Sequence, residues 1–529
     1  HVLILVNGRK VTGDITGNID LNQIDMTRVK RIEVLNGAAS SLYGSDAIGG
    51  VINIITNEPK DVVAFSSNSS YTRKNQFSQG LNLDIAQGKI GSYTSYKYDH
   101  SDGWQNSHLT EDGEDIIETI APLSLGYSSN NFSQKFTYDA TDQLSFYANG
   151  GYYNRGLERP VEREDITGGS KYNTTYEGYN WGAGAKYKLS KRNVIQFDYS
   201  GNNYASRYKY LIENSGYLPG QYALTKLQKF HDAELKGIFG FTTNSTTVFG
   251  VDYRREVLRR PDSDLDKSVY TTSAYGQHEV KLWNHLTGVV GVRYDHHEQT
   301  GGRFTPKVAA MYNIGNFNVR ATYAAGFRAP GIDELYYHMF KKTMGTRATI
   351  SLGDENLDPE RSNYYSINME YRTNRFSASV TGYLNYVKNM VTSKSTKFDD
   401  LPEAEQNQLR EEFPEIGDLS STKNLSVKNY FNFEKATVKG FEVNLNGNLF
   451  PGFTLAGNYT YAYGRGLNEG GEWQNIERSI RHTATITGNY THSWSDYTLN
   501  LNLNGRLQSK VYYPGDADGN APGYGIWNL

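Results

Sequence analysis

The residues best suited to gripping a metal-bearing ligand lie in 331–347, GIDELYYHMFKKTMGTR. His338 sits beside Tyr336, Tyr337 and Met339, and Lys341, Lys342 and Arg347 follow it. Imidazole and phenolate both ligate haem iron, and cations pair with the two haem propionates. The stretch therefore contains what a haem grip needs, with His338 as the candidate iron ligand. The same residues also read as a loop histidine among interfacial aromatics, with basic side chains set against lipopolysaccharide phosphates. His296 and His297 are candidates for a second axial ligand or an inward relay, and His100 and His108 lie in another connecting segment. Asp516, Asp518 and Asn520 have the one-three-five spacing of a calcium loop. The closing position is Trp527 instead of a bidentate Glu, so a polar turn is the better reading. Ser, Asp and His are too common here for their presence to signal catalysis, and no G-x-S-x-G nucleophile motif occurs. The chemistry on offer is capture, not turnover.

Strands must position these residues. The chain has 529 residues, net charge -3, 42 Tyr, 22 Phe and no Cys, with a mean hydropathy of -0.63. Near-neutral charge argues against a nucleic-acid surface, and the lack of Cys removes disulfides and thiolate metal sites. No run of about 18 apolar residues occurs, which excludes a transmembrane helix. A transmembrane barrel is not excluded, because alternating lipid-facing and lumen-facing residues average to a polar composition. In 497–507, YTLNLNLNGRL, Tyr, Leu and Gly alternate with Thr, Asn and Arg; 441–449, 453–461 and 179–189 repeat the pattern. Tight turns near Gly88, Asp142, Lys191, Asn244, Gly315, Asn374, Gly452 and Asp496 alternate with longer connections. These are 101–130, 154–174, 207–223, 259–266, 295–303, 328–360, 392–426, 465–480 and 509–523. Bacterial barrels place short turns inside and long loops outside, which fixes the orientation. The fold class is thus all-β, a transmembrane antiparallel β-barrel with about 20 strands here, against roughly 22 in plugged outer-membrane transporters.

The segment Lys30 to Asn57, KRIEVLNGAASSLYGSDAIGGVINIITN, holds two β-branched runs separated by small residues. Glycine-rich and followed by a strand instead of a helix, it lacks the layout of a phosphate-cradling loop. It resembles the second half of the plug domain of TonB-dependent outer-membrane receptors, matching at Glu33, Gly37, Tyr43, Gly44, Gly49 and Gly50. The preceding VNGRKVTG and NQIDMTRVK resemble that family's next strand and helix. Phe327-Arg328-Ala329-Pro330 and Asn356-Leu357-Asp358-Pro359 resemble the FRAP and NPNL boxes flanking an outer loop in the haem-receptor branch. The second box departs from that branch, and similar boxes occur in cobalamin and siderophore receptors.

The resemblance implies a plug half at 1–60 inside a barrel at 61–529, in the outer membrane of a Gram-negative bacterium. It implies import energised by TonB, with haem as transported ligand and no intrinsic cofactor. Cobalamin or a ferric siderophore is the alternative cargo, and a passive porin is disfavoured by the plug motif. Outer-membrane lipid and lipopolysaccharide are expected partners, and a surface haem-binding lipoprotein or host haemoprotein is the expected donor. The energy-coupling box, the first plug half and about two final strands are expected outside this chain.

Overall fold

The computed structural model describes residues 2–11, 13–15, 18–73, 75–104, 110–111, 114–115, 124–159, 170–214, 216–342, 348–467, 471–476, 478–512 and 521–529. His108, Arg347, Asp516, Asp518 and Asn520 lie outside the described residues.

Four strands near the start form one small sheet: β1 (Leu3–Val6), β2 (Arg9–Lys10), β3 (Val29–Asn36) and β4 (Gly50–Thr56), in the order β2-β1-β4-β3. β1 runs parallel to β4, and β3 pairs antiparallel with it. Leu3, Leu5, Ala39, Ala47 and Val51 make its apolar core. Between β3 and β4 the small residues allow the single turn α1 (Ser40–Tyr43). Gly37 has φ +80, and a Cβ there would collide with the Tyr364 ring, so both backbone conformation and space require glycine. The helix expected before this motif is instead two 3-10 turns, Leu21–Gln23 and Met26–Arg28. Asp20 and Asp25 each accept a hydrogen bond from the backbone N–H two residues on, the local bond that competes with a continuous helix.

From Ala64 onward the chain forms an antiparallel barrel. Leaving aside the loop strands, twenty described strands follow one another around the wall, from Ala64–Thr72 to Tyr524–Asn528. The strand Leu286–His297 shows why it suits a membrane. Val290 and Val292 are exposed outward, whereas Arg293 and Asp295 point inward and are only 2% and 1% exposed. A water-soluble sheet would invert that pattern; hydrocarbon outside and a polar filling inside demand it. No described helix is long and apolar enough to cross a membrane.

The connections need three corrections. A tight turn at 283–285, between Leu265–Leu282 and Leu286–His297, joins the expected inner set. The connections expected at 259–266 and 295–303 are short, because strands run to Arg260 and from Leu265, and to His297 and from Gly301. His296 and His297 are therefore strand residues on opposite faces, not a loop pair. The two largest outer connections carry structure of their own. Residues 328–360 contain α2 (Ile332–Tyr336) and a hairpin of His338–Lys342 with Ala348–Leu352. Residues 397–425 contain α3 (Glu403–Glu412), strong helix formers set between Pro402 and Pro414. Ala348, Ile350, Phe398, Leu409, Phe413, Ile416, Leu425 and Val427 bury one another, so the two loops fold into a single cap with its own core.

Candidate functional site

The cap stands on a clasp made from the two boxes. Arg328 ends the strand Phe317–Arg328 and Glu360 begins the strand Glu360–Arg372, and their register pairs them. The Arg328 guanidinium donates to Glu360 Oε1 at 2.8 Å and to both Glu334 carboxylate oxygens, at 2.8 and 3.2 Å. The side chains of Arg328 and Glu360 are 7% and 1% exposed. Glu360 also accepts from the Val391 N–H, and Glu334 Oε2 from the Gly331 N–H, which fixes the start of α2. Leu357 is buried against Leu335 and Val391. Asp358 exchanges backbone hydrogen bonds with the Asn432 side chain, and Asn356 closes a local turn on Asp354. Two acids on one buried guanidinium tie α2 to two strands and hold the hairpin's base.

The same clasp touches the plug. The Phe327 N–H donates to Ser40 Oγ at 3.3 Å and the Ala329 N–H to Ser45 Oγ at 3.1 Å. Ser45 lies beside Asp46, whose carboxylate accepts from Lys10 Nζ at 2.6 Å, and Lys10 also reaches Glu256 on the wall at 3.2 Å. Arg9 bonds Tyr147, Asn149 and Asp198. Higher on that side, Asp20 accepts from the Tyr153 and Tyr204 hydroxyls at 2.8 and 2.9 Å, all three buried. A continuous polar path thus joins outer cap, plug turn and barrel wall. Sequence reasoning marked the glycines of that turn and missed Ser40, Ser45 and Asp46, although a serine-rich stretch between two strands signals side chains that bond backbone.

Opposing charges set how pH acts on the plug. Burial pushes Asp46 upward, but the Lys10 ammonium and its hydrogen bond outweigh it and hold Asp46 at about 2. Burial likewise works against Lys10, while Asp46 and Glu256 hold it above the ordinary lysine value. A depressed carboxylate stabilises the docked state fully above its unfolded pKa of about 3.9 and loses that contribution as pH falls towards about 2. Lys10 contributes below its unfolded pKa of about 10.4 and loses that contribution at higher pH. Hydrogen exchange at 8–11 and 45–47 should accelerate between about pH 4 and 2, and Asp46→Asn should flatten that dependence. An unchanged acid profile in Asp46→Asn would remove the lock from the account.

The expected haem constellation is only partly assembled. His338 and Lys341 fall on opposite faces of their short strand. The His338 ring stacks on Phe413 at 4.4 Å, its Nε2 lies 3.4 Å from Glu412, and the side chain is 55% exposed. Tyr336 meets Lys267, Tyr337 bonds Arg260, and Met339 is buried, so these three anchor the cap. Lys342 is exposed. His297 is buried on the lumen face, with its Nδ1 accepting from the Gln299 N–H, while His296 faces outward. His100 faces outward beside Asp102.

Lys341 instead meets an aromatic wall that the sequence did not mark. Its Nζ lies 3.4 Å from the Tyr208 hydroxyl across the barrel mouth. Tyr208 stacks on Tyr172 with ring centroids 3.7 Å apart, and Tyr210 stacks on Tyr217 at 4.8 Å. Arg155 and Arg159 border this wall, each with a buried Nε that has no hydrogen-bond partner among the described residues. Alternation places these tyrosines on the lumen face of Tyr172–Lys188 and Asn193–Tyr210. The result is an aromatic, cationic vestibule above the plug.

A plug sheet inside an inside-out barrel is the arrangement of one known family. The model for the β-barrel of TonB-dependent receptor-like proteins matches residues 35–529, and that for the TonB-dependent receptor plug domain matches 1–51. The chain belongs to the TonB-dependent receptors. The vitamin B12 transporter BtuB of Vibrio cholerae is 24% identical over 411 residues, 75% of this chain and 60% of the relative. The chain thus spans 60% of the length of that transporter. The ferric enterobactin receptor PirA of Pseudomonas aeruginosa is 24% identical over 588 residues, 97% of this chain and 73% of the relative. The crystal structure of the siderophore receptor PirA from Acinetobacter baumannii superposes with TM-score 0.76 at 16% identity, over 99% of this chain and 83% of that one. This receptor family therefore supplies relatives that carry cobalamin or siderophores, and the fold is that of an outer-membrane barrel.

Proposed function

We propose that this receptor imports a ferric siderophore across the outer membrane, captured at the vestibule and drawn past the plug by TonB. The observation that carries the reading is the wall of Tyr172, Tyr208 and Tyr210 with Lys341, Arg155 and Arg159. Stacked phenol rings offer flat apolar faces, and guanidinium and ammonium groups offer charge-assisted donors. Together they fit an anionic, aromatic iron chelate. Relatives named as siderophore receptors, one matching 97% of this chain, support it.

Cobalamin is the second reading, favoured by the similarity to vitamin B12 transporters. Haem import has weaker support. His338, the candidate iron ligand, is half exposed on the cap beside Glu412, and neither His296 nor His297 shares its strand or face. The three cargoes make different demands on the tyrosine wall, so one titration separates them. Quenching of intrinsic fluorescence by ferric enterobactin should be tighter than by cyanocobalamin or haemin, and Tyr208→Ala should weaken it by about tenfold, the loss of one stacked aromatic contact. Tighter binding of cyanocobalamin would select the second reading. A Soret shift with haemin that is lost in His338→Ala would restore the third.

A further inference from the structure

Two buried carboxylates crowd one guanidinium on the lumen wall. Arg293 Nε donates to Asp295 Oδ1 at 2.8 Å and Arg293 Nη2 to Asp252 Oδ2 at 2.7 Å, and the side chains of Arg293, Asp295 and Asp252 are 2%, 1% and 8% exposed. The register sets Ser273 between the two acids, and its hydroxyl donates to Asp295 Oδ1 at 2.7 Å. The other two oxygens, Asp252 Oδ1 and Asp295 Oδ2, are buried without a hydrogen-bond partner among the described residues. So is Thr305 Oγ1, on the register partner of Arg293 in the next strand, a residue only 1% exposed. On the plug side α1 packs against these strands, and Ser41 Oγ is buried and unpartnered as well. A buried polar atom left without a partner calls for one.

The charges identify that partner. Arg9, Lys236 and Arg254 each pair with one lumen carboxylate, that of Asp198, Glu234 and Asp232 respectively. Lys10 has two, but Glu256 is 37% exposed and solvated. Arg328 also holds two, and there the N–H groups of Gly331 and Val391 donate to them. The acids at Arg293 have neither relief. Arg303 stands opposite Asp295 in the register, yet its guanidinium turns to the Gly302 carbonyl. Two carboxylates on one guanidinium leave one negative charge in excess, which is costly when buried. Every atom left to meet the missing charge is an oxygen, the ligand type of hard cations, and a single excess charge matches a monovalent ion better than calcium.

We infer that Asp252, Asp295 and Thr305 form a binding site for one sodium-sized alkali cation at the boundary of wall and plug, with Ser41 contributing from the plug side. Arg293 Nη1 also donates to the Leu42 carbonyl at 3.4 Å, so a cation that offsets the two acids leaves this guanidinium freer to hold α1. The inference does not depend on the identity of the cargo.

Sodium titration of the full receptor in detergent micelles tests it, with ionic strength held constant by N-methylglucamine chloride and the series run at two pH values. The thermal midpoint should climb with the logarithm of sodium concentration once the site begins to fill, and hydrogen exchange at 40–44 should slow in step. Asp295→Asn removes the excess charge, so it should abolish the sodium response and be at least as stable as the native receptor in sodium-free buffer. Asp198→Asn, at the one-to-one pair with Arg9, should keep the response. Thr305→Val removes a ligand and no charge, and it should raise the sodium concentration needed by about tenfold. That variant carries the test if Asp295→Asn does not fold. Equal midpoints in sodium and in N-methylglucamine overturn the inference, as does a sodium response left unchanged in Asp295→Asn or in Thr305→Val. A midpoint that follows pH and ignores sodium also overturns it, in favour of a proton shared by the two carboxylates.

Discussion

Arg328→Met should destabilise the outer cap by about 3–5 kcal/mol, because it removes one partner of a buried charge cluster and strands the other. Glu360 is 1% exposed and would lose its guanidinium counter-charge while the Val391 N–H still donates to it. Glu334 would keep the Gly331 N–H and lose the bond that ties α2 to the wall. Methionine fills much of the vacated volume, so the loss reports charge more than cavity. In chemical denaturation the double variant Arg328→Met, Glu360→Gln should recover part of the deficit, since the stranded carboxylate is then neutral. Hydrogen exchange should rise in 332–336 and also in 40–46, because the N–H groups of Phe327 and Ala329 hold Ser40 and Ser45. If exchange rises only in 332–336, the cap and plug are not coupled through this clasp. If the double variant is as unstable as the single, the clasp acts by packing.

How far the sequence spoke depended on the range of the interaction involved. Alternation in 497–507 is written residue by residue, and those leucines are the exposed ones: Leu499, Leu501 and Leu503 all face outward. Turn positions at Gly88 and Gly315 were legible because each needs the positive φ that glycine adopts freely. The turn at 283–285 escaped because Trp283 carries a positive φ without being glycine, leaving no compositional mark. Strand ends were harder. His296 and His297 look like loop residues, yet cross-strand pairing carries the strand through them to a three-residue connection. The helix α3 was hidden because only Leu409 of its ten residues is buried, too few to give a helical period.

At the candidate site the residue types were legible and their meeting was not. The motif boxes marked both ends of 328–360, but nothing in a linear pattern shows that Arg328 and Glu360 are register partners. His338 and Lys341 are three apart, a spacing that shares a face on a helix and opposite faces on a strand; the hairpin decided it. Tyr208 and Lys341 lie 133 residues apart and meet only because the cap crosses the mouth. Long-range closure, not local propensity, builds the vestibule.

Asp20→Ala should loosen the plug from the wall by about 3 kcal/mol, from two charge-assisted hydrogen bonds lost and two buried hydroxyls left without acceptors. Asp20 is 3% exposed, and the Tyr153 and Tyr204 rings that meet it are 2% and 1% exposed, so water has little access to replace the bonds. Arg155 lies 3.9 Å from the same carboxylate and would lose its nearby counter-charge as well. The asymmetry between stranding partners and removing them gives the control. Asp20→Ala combined with Tyr153→Phe and Tyr204→Phe removes every group of the set, and it should cost less than Asp20→Ala alone. Single-channel conductance in planar bilayers reads the outcome directly, since a loosened plug admits ions through the lumen. Openings should be more frequent in Asp20→Ala than in the native receptor, and the triple variant should fall between them. Conductance identical to native in Asp20→Ala would place the hold on the plug elsewhere, for example at Lys10 and Arg9, which pair with Asp46, Glu256 and Asp198.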